Sequence, residues 1–100
     1  MDITIIQIGK TKHNFFEDAI LEYMKRLKPY ALIKVKTLKE EIIPAGNFEA
    51  GVKLVKQKEG QEILKQIEKD NFTVILDENG KQFLSMEFAE LIKDQRDYYS

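Results

Sequence analysis

The alternation of strand-like and helix-like segments is the feature that most constrains how this chain can fold. Three short strand-like segments, two of them largely apolar and one alternating, each precede a segment whose apolar residues recur at helical spacing. The resulting order, β-α-β-α-β-α, predicts an α/β fold with a mainly parallel sheet, helices on its faces and right-handed crossovers. A chain of 100 residues is long enough for one such domain.

The first strand and helix are the most clearly marked pair. The run Ile3–Ile8 is rich in β-branched residues and ends at Gly9, which predicts a largely buried strand. Asn14 and Glu17 have the spacing of a helix-capping box. Pro29 predicts the end of the helix, because the residue before a proline is disfavoured from helical conformation. The apolar face of this helix comprises Phe16, Ala19, Ile20, Tyr23 and Leu27.

The second pair is less regular. Ile33 and Val35 alternate with lysines, which predicts a strand with one solvent-facing side near a sheet edge. Residues 39–50 show no clear period and predict a loop. A second helix should follow, although Gly60 inside it costs about 1 kcal/mol relative to alanine. Its apolar stripe comprises Val52, Val55, Ile63 and Ile67.

The third pair begins with a short continuous apolar run. Phe72–Leu76 predicts a third strand, and residues 77–80 (Asp-Glu-Asn-Gly) predict a turn. Ser85 is the predicted N-cap of a third helix, with Glu87 in its first turn, where the helix dipole favours a negative charge. The apolar face of that helix comprises Phe88, Ala89, Leu91 and Ile92.

The composition excludes several classes of site. The 16 basic and 17 acidic residues give a net charge of −1, so RNA binding would require a local patch or a second subunit. The absence of cysteine excludes disulfides and thiolate sites, and with a single histidine no metal site is predicted. No apolar run approaches the length of a membrane span, so we expect a cytoplasmic protein without a membrane partner.

Two polar segments follow predicted strands, where ligands collect in parallel α/β sheets. They are residues 9–13 (Gly-Lys-Thr-Lys-His) and residues 77–80, and the alternative for each is an ordinary solvated loop. The first segment is not a phosphate-binding loop, because Thr4 occupies the position of the glycine that the motif requires. A dinucleotide-binding glycine fingerprint is also absent.

Individual polar residues leave alternatives open. His13 could act as a general base or contact RNA, or it could be a plain surface residue. Asp77 and Glu78 could form an acid–base pair or point apart into water. The basic residues Lys25, Arg26 and Lys28 could contact phosphates or simply complement the helix dipole. Tyr98 and Tyr99 could stack on bases or begin a further strand.

The order of four short motifs adds a family resemblance. The motifs are Ile6-Gln7-Ile8-Gly9-Lys10, then Glu22-Tyr23-x-Lys25-Arg26-Leu27-x-Pro29-Tyr30, then Lys58-Glu59-Gly60 with Ile63-Leu64, and finally Leu76-Asp77-Glu78-x-Gly80-Lys81 with Ser85 and Phe88-Ala89. Together they resemble the bacterial ribosomal RNA large subunit methyltransferase H family, which belongs to the knotted SPOUT class. None is specific alone, but their order and spacing agree from residue 6 to residue 89.

The resemblance implies a homodimeric, cytoplasmic enzyme that uses S-adenosylmethionine to methylate N3 of a pseudouridine in large-subunit (23S) ribosomal RNA. The base nitrogen would attack the sulfonium methyl in line, a reaction that depends on positioning and on removal of the N3 proton. Residues 1–100 would then be a single α/β domain, the Rossmann-like front part of an α/β-knot enzyme, truncated before the C-terminal knot.

The resemblance assigns one residue to the methyl donor, Leu76, and no catalytic residue. The candidate RNA contacts are Lys10, Lys12, His13 and Arg26. Because the main donor-binding segment would lie outside residues 1–100, we expect this fragment to be inactive. Two alternatives remain at this point: a non-catalytic domain that binds RNA or the ribosome weakly or only folds, and an unrelated small α/β binding module.

Overall fold

The computed structural model describes residues 1–99 and the side chains of residues 1–97. Two strands form a parallel sheet, in register from Asp2 opposite Leu32 to Ile8 opposite Leu38, which confirms the predicted α/β class and strand direction. The elements in chain order are β1 (Asp2–Ile8), α1 (Asn14–Leu27), β2 (Leu32–Leu38), α2 (Phe48–Gln66) and α3 (Ser85–Tyr99).

Two compact groups of elements make up the chain. Asp2–Glu68 form one group, called here the sheet unit, in which α1 contacts β2 and α2 contacts β1. The chain from Lys69 onward, with Met1, forms the other group, called here the C-terminal unit. In the part of the chain that the structure describes, no helix is both long and apolar enough to cross a membrane.

The two ends of α1 differ from the predicted pattern. His13 occupies the N-cap position without a capping side-chain hydrogen bond, so the predicted capping box of Asn14 and Glu17 is wrong by one position. The backbone N–H groups of Phe16 and Glu17 instead donate to the carbonyl oxygen of His13. Lys28 stays helical (φ −50°, ψ −40°) although Pro29 follows, because its N–H still bonds to the carbonyl oxygen of Lys25.

The second helix begins earlier than its apolar stripe suggested. Asn47 is the N-cap, and its side-chain oxygen accepts a hydrogen bond from the Ala50 N–H at 3.2 Å. The predicted loop over residues 39–50 is therefore shorter at its carboxyl end. The helix continues through Gly60 as predicted, and Ile67 is its C-cap. Gly51 is buried, because the side chain of Ile43 passes so close that a Cβ there would lie 3.0 Å from Cγ2.

The third predicted strand is not formed among the described residues. Phe72–Leu76 does not form a strand, and the sheet found within residues 1–99 consists of β1 and β2. An extended apolar run becomes a strand only when a neighbouring strand pairs with its backbone groups, and an apolar pattern specifies no such partner. The turn after it forms as predicted, with the Gly80 N–H donating to the carbonyl oxygen of Asp77 at 3.0 Å.

The start of α3 carries half of a capping box. Leu84 provides the first carbonyl, which accepts from the Phe88 N–H at 3.0 Å. The carboxylate of Glu87 accepts from the Leu84 N–H at 2.9 Å. Ser85 is therefore the first helical residue and not the N-cap as predicted, whereas the first-turn position of Glu87 is confirmed.

Candidate functional site

The carboxyl ends of β1 and β2 lie side by side at one edge of the sheet. Ile8 pairs with Leu38 there, and the Gly9 N–H donates to the carbonyl oxygen of Leu38 at 2.8 Å. Gly9 has φ +76°, a left-handed conformation that glycine adopts without steric cost. The loop from Lys10 to His13 therefore leaves the sheet at the edge where parallel α/β proteins bind ligands.

Charges of both signs border this loop. Lys10, Lys12 and His13 are exposed, and neither lysine belongs to an ion pair within the described side chains. The carboxylate of Glu40 lies on the other side, since a Cβ placed on Gly9 would come within 3.3 Å of its Oε2. Among the described side chains, the loop therefore combines two lysines, which form no ion pair, with the nearby carboxylate of Glu40.

Three rings meet where this loop enters α1. The rings of His13 and Phe15 are stacked at 5.2 Å with an interplanar angle of 23°. Phe16 packs against both of them, at 4.4 Å from Phe15 and 5.9 Å from His13. We call these three residues the His13 ring cluster. The sequence patterns placed Phe16 on the apolar stripe of the helix but gave no role to Phe15.

The fourth candidate RNA contact lies apart from the other three. Arg26 follows His13 by thirteen helical steps, so α1 separates them by roughly 20 Å at 1.5 Å per residue. Its Nε donates to the carboxylate of Glu22 at 3.0 Å, in an exposed pair four residues apart. Such a pair contributes only a few tenths of a kcal/mol. The basic group at this end of α1 is thus partly neutralised, and its position also suits the negative pole of the helix.

Leu76 lies in a hollow of the C-terminal unit. Its side chain is 85% exposed, so within the described residues it is not the core leucine that its apolar run would suggest. Lys81 extends over the ring of Phe83, with Nζ 5.0 Å from the centroid, and that ring packs on Phe88 at 6.2 Å. The hollow is lined by Val74, Ile75, Leu76, Asp77, Gly80, Lys81, Phe83, Ser85, Phe88 and Leu91.

The acidic residues beside Leu76 are arranged as turn residues. One carboxylate oxygen of Asp77 accepts from the Asn79 N–H at 3.0 Å, which closes the turn. Asp77 and Glu78 are both exposed, as expected for carboxylates that point into water. The side chains of Tyr98 and Tyr99, which could have stacked on bases, lie outside the described residues.

A second hollow, in the sheet unit, was not anticipated from the sequence. The carboxylate of Glu59 accepts a hydrogen bond there from the Glu41 N–H at 3.2 Å. Its lining is Glu40, Glu41, Ile42, Ile43, Val55 and Glu59. Among the side chains that the structure describes, no three or more histidine or acidic groups are arranged to hold a metal ion.

Comparison with known proteins identifies the family of this chain. The family model described as predicted SPOUT methyltransferase matches residues 1–100. The chain belongs to the SPOUT methyltransferase family. This membership confirms the resemblance given by the four motifs and removes the interpretation as an unrelated small α/β binding module.

Three relatives of this SPOUT-family chain carry the name ribosomal RNA large subunit methyltransferase H. The protein of Clostridium beijerinckii is 42% identical over 92 residues, which are 92% of this chain and 58% of that protein. The protein of Carboxydothermus hydrogenoformans is 39% identical over 98 residues, 98% of this chain and 62% of that protein. The protein of Bacillus cytotoxicus is 43% identical over 90 residues, 90% of this chain and 57% of that protein. The chain therefore spans about 60% of the length of these relatives.

Proposed function

We propose that this SPOUT-family chain is the front part of an S-adenosylmethionine-dependent methyltransferase that modifies N3 of a pseudouridine in large-subunit ribosomal RNA. The observation that carries the proposal is the family match along residues 1–100, together with relatives named for methylation of large-subunit ribosomal RNA. We further propose that residues 1–100 belong to one α/β domain of a cytoplasmic homodimer. The exposed apolar side chains of α1, such as Tyr23 at 64%, supply surface for a second copy to cover.

The hollow around Leu76 fits part of the methyl donor. Its apolar side chains suit the adenine ring, and the carboxylate of Asp77 could accept from a ribose hydroxyl. Because Leu76 is 85% exposed, these side chains would cover only part of a bound donor. The described residues therefore supply one wall of a donor site. When bound, S-adenosylmethionine supplies an electrophilic methyl group.

The residues of this chain would then act by positioning. Leu76 would pack against the donor, and Lys10 and Lys12 would hold the RNA backbone near the sheet edge, with His13 as a further RNA contact beside them. Arg26 would add a phosphate contact at the other end of α1, in competition with its pairing to Glu22. Loss of the N3 proton has no assigned base among these residues, so we propose that residues 1–100 alone are inactive.

A chimeric protein provides the test. Residues 1–100 would replace the matching segment of the Clostridium beijerinckii relative, and the chimera, the relative and this chain alone would be titrated calorimetrically with S-adenosylmethionine. We expect the chimera and the relative to bind and to transfer methyl groups to large ribosomal subunits, and this chain alone to do neither. Micromolar binding by this chain alone would refute the one-wall account. A folded chimera that binds the donor but methylates no ribosomal RNA would refute the proposed activity.

A second function is favoured by the same exposed sites. The hollow around Leu76 is open, while the loop after β1 offers free lysines and aromatic rings to solvent. Residues 1–100 could therefore serve as a non-catalytic domain that binds RNA or the ribosome weakly. RNA binding by a chimera that has no donor affinity would favour this function over the first.

A further inference from the structure

We propose that the His13 ring cluster is a stacking platform for an unpaired base of single-stranded RNA, with Lys10 and Lys12 binding the flanking phosphates. The proposal rests on the RNA partner proposed above and adds to it a site, a mode of recognition and two residues, Phe15 and Phe16, that no sequence motif pointed to. It makes no use of the methyl donor.

The proposal depends on Phe15, an aromatic residue near the start of α1 that is largely exposed. On an α-helix it shares a face with the residues three, four and seven positions later, which are Asp18, Ala19 and Glu22, so Phe15 lies at the border between the polar and apolar faces of α1. The apolar stripe of α1 runs instead through Phe16, Ile20 and Leu27. Phe15 is 64% exposed, more than its neighbours Phe16 at 53% and Ile20 at 41%. Within the described residues, most of Phe15 is therefore accessible to a ligand.

The rings around Phe15 hold it in one orientation. His13 stacks on it nearly parallel, and Phe16 contacts it at 4.4 Å, close to the lower end of the usual range for ring pairs. A ring that is already fixed loses little conformational entropy when a ligand stacks on it. Every nucleobase has a flat face, so such a platform accepts an unpaired base of any sequence.

The charges beside the cluster favour a nucleic acid over a protein partner. Lys10 and Lys12 precede the rings by a few residues, are exposed, and form no ion pair within the described part of the chain. The amino-terminal end of α1 adds the positive pole of its dipole. Two free cations beside exposed rings match a phosphate–base–phosphate segment.

The acidic neighbours restrict the form of the nucleic acid. Glu17 and Asp18 lie in the first turns of α1, and Glu40 borders Gly9. A duplex presents phosphates densely and keeps its bases stacked inside, so it would meet these carboxylates without reaching the rings. A single strand can present one base to the rings and its two adjoining phosphates to the lysines.

The test is an anisotropy titration of a fluorescein-labelled, uridine-rich single-stranded RNA with the 100-residue chain, without methyl donor. Phe15→Leu keeps apolar bulk but removes the ring, and we expect it to weaken binding about fivefold or more. Tyr30→Leu is the matched control, because Tyr30 is 77% exposed and lies past the opposite end of α1, and we expect less than a twofold change. Phe15→Trp keeps an aromatic ring and should bind this RNA with the affinity of the parent chain.

Several results would overturn the proposal. These are no binding of this RNA by the parent chain, equal losses from Phe15→Leu and Tyr30→Leu, or failure of Phe15→Trp to restore affinity in a chain whose circular dichroism is unchanged. A change in sedimentation of Phe15→Leu without any change in RNA affinity would assign the cluster to a protein interface instead. Because no methyl transfer is measured, an inactive chimera leaves this proposal intact, and a failed platform leaves the proposed activity intact.

Discussion

Substitution of Gly9 by alanine should destabilise the sheet unit, whereas the same substitution at Gly60 should stabilise it. Gly9 directly follows β1 and has φ +76°, and its N–H donates a hydrogen bond to the carbonyl oxygen of Leu38 at 2.8 Å. Gly60 lies inside α2 with a negative φ and no atom within 4 Å of an added Cβ. The two positions differ in backbone conformation and in the space around them.

The magnitudes follow from these differences. A non-glycine residue in the left-handed region costs about 1–2 kcal/mol. The added methyl group of Gly9→Ala would also lie 3.3 Å from Glu40 Oε2, a flexible chain end that can shift at small cost. Gly60→Ala removes a glycine from a helix interior and should gain about 1 kcal/mol. The two variants should therefore differ in free energy of unfolding by about 2–3 kcal/mol.

Urea unfolding followed by far-ultraviolet circular dichroism measures this difference. Gly46→Ala serves as a further control, because Gly46 has φ +115° with nothing within 4 Å of its Cβ position, so it reports conformational strain without contact. We expect Gly9→Ala and Gly46→Ala to lower the midpoint and Gly60→Ala to raise it, with unchanged slopes. Equal midpoints for the parent chain and Gly9→Ala would show that the left-handed turn at the end of β1 is not required.

Three further predictions concern side-chain substitutions. Asn47→Ala should lower the free energy of unfolding in urea by about 1 kcal/mol because it removes the cap of α2. Asn14→Ala should be near neutral, and an equal loss for both variants would support the capping box at Asn14 that the structure contradicts. Replacing Lys10 and Lys12 with glutamine should flatten the slope of log K against log salt by about 1.4 for single-stranded RNA; an unchanged slope would exclude both from phosphate contact. Leu76→Ala should weaken donor binding by the chimera about tenfold, which corresponds to a loss of about 1.5 kcal/mol of apolar contact. In this chain the same substitution should leave the unfolding midpoint unchanged, because Leu76 is 85% exposed. A lower midpoint with unaltered donor affinity would make it a structural residue.

Local signals in the sequence predicted the elements better than their ends. The β-branched run before Gly9 and the stripe through Phe16 gave β1 and α1 nearly complete. The capping prediction at Asn14 failed because a cap depends on where the first carbonyl is placed, and His13 supplies it. Asn47 was assigned to a loop because the apolar stripe of α2 begins only several residues after its cap.

For the candidate site, the sequence indicated a proposed position but did not indicate the aromatic rings beside it. The rule that ligands collect at strand ends pointed to residues 9–13, and the structure places Lys10, Lys12 and His13 together there. The sequence-based RNA contacts also included Arg26, although α1 separates Arg26 from His13 by roughly 20 Å. Phe15 was missed because it lies at the border of the apolar stripe of α1, where a single residue gives no pattern of its own.

An apolar pattern does not specify which surface will cover the segment that carries it. Phe72–Leu76 has the composition of a buried strand, yet Ile75 and Leu76 are 80% and 85% exposed. The pattern records only that a segment favours burial, whereas strand formation also requires a backbone partner in register. As the structure stands, Ile75 and Leu76 remain open to solvent. The chimera can test the strand partner and the donor site together. If the added segment pairs with Phe72–Leu76, both the affinity for the donor and the protection of these amides from hydrogen exchange should rise.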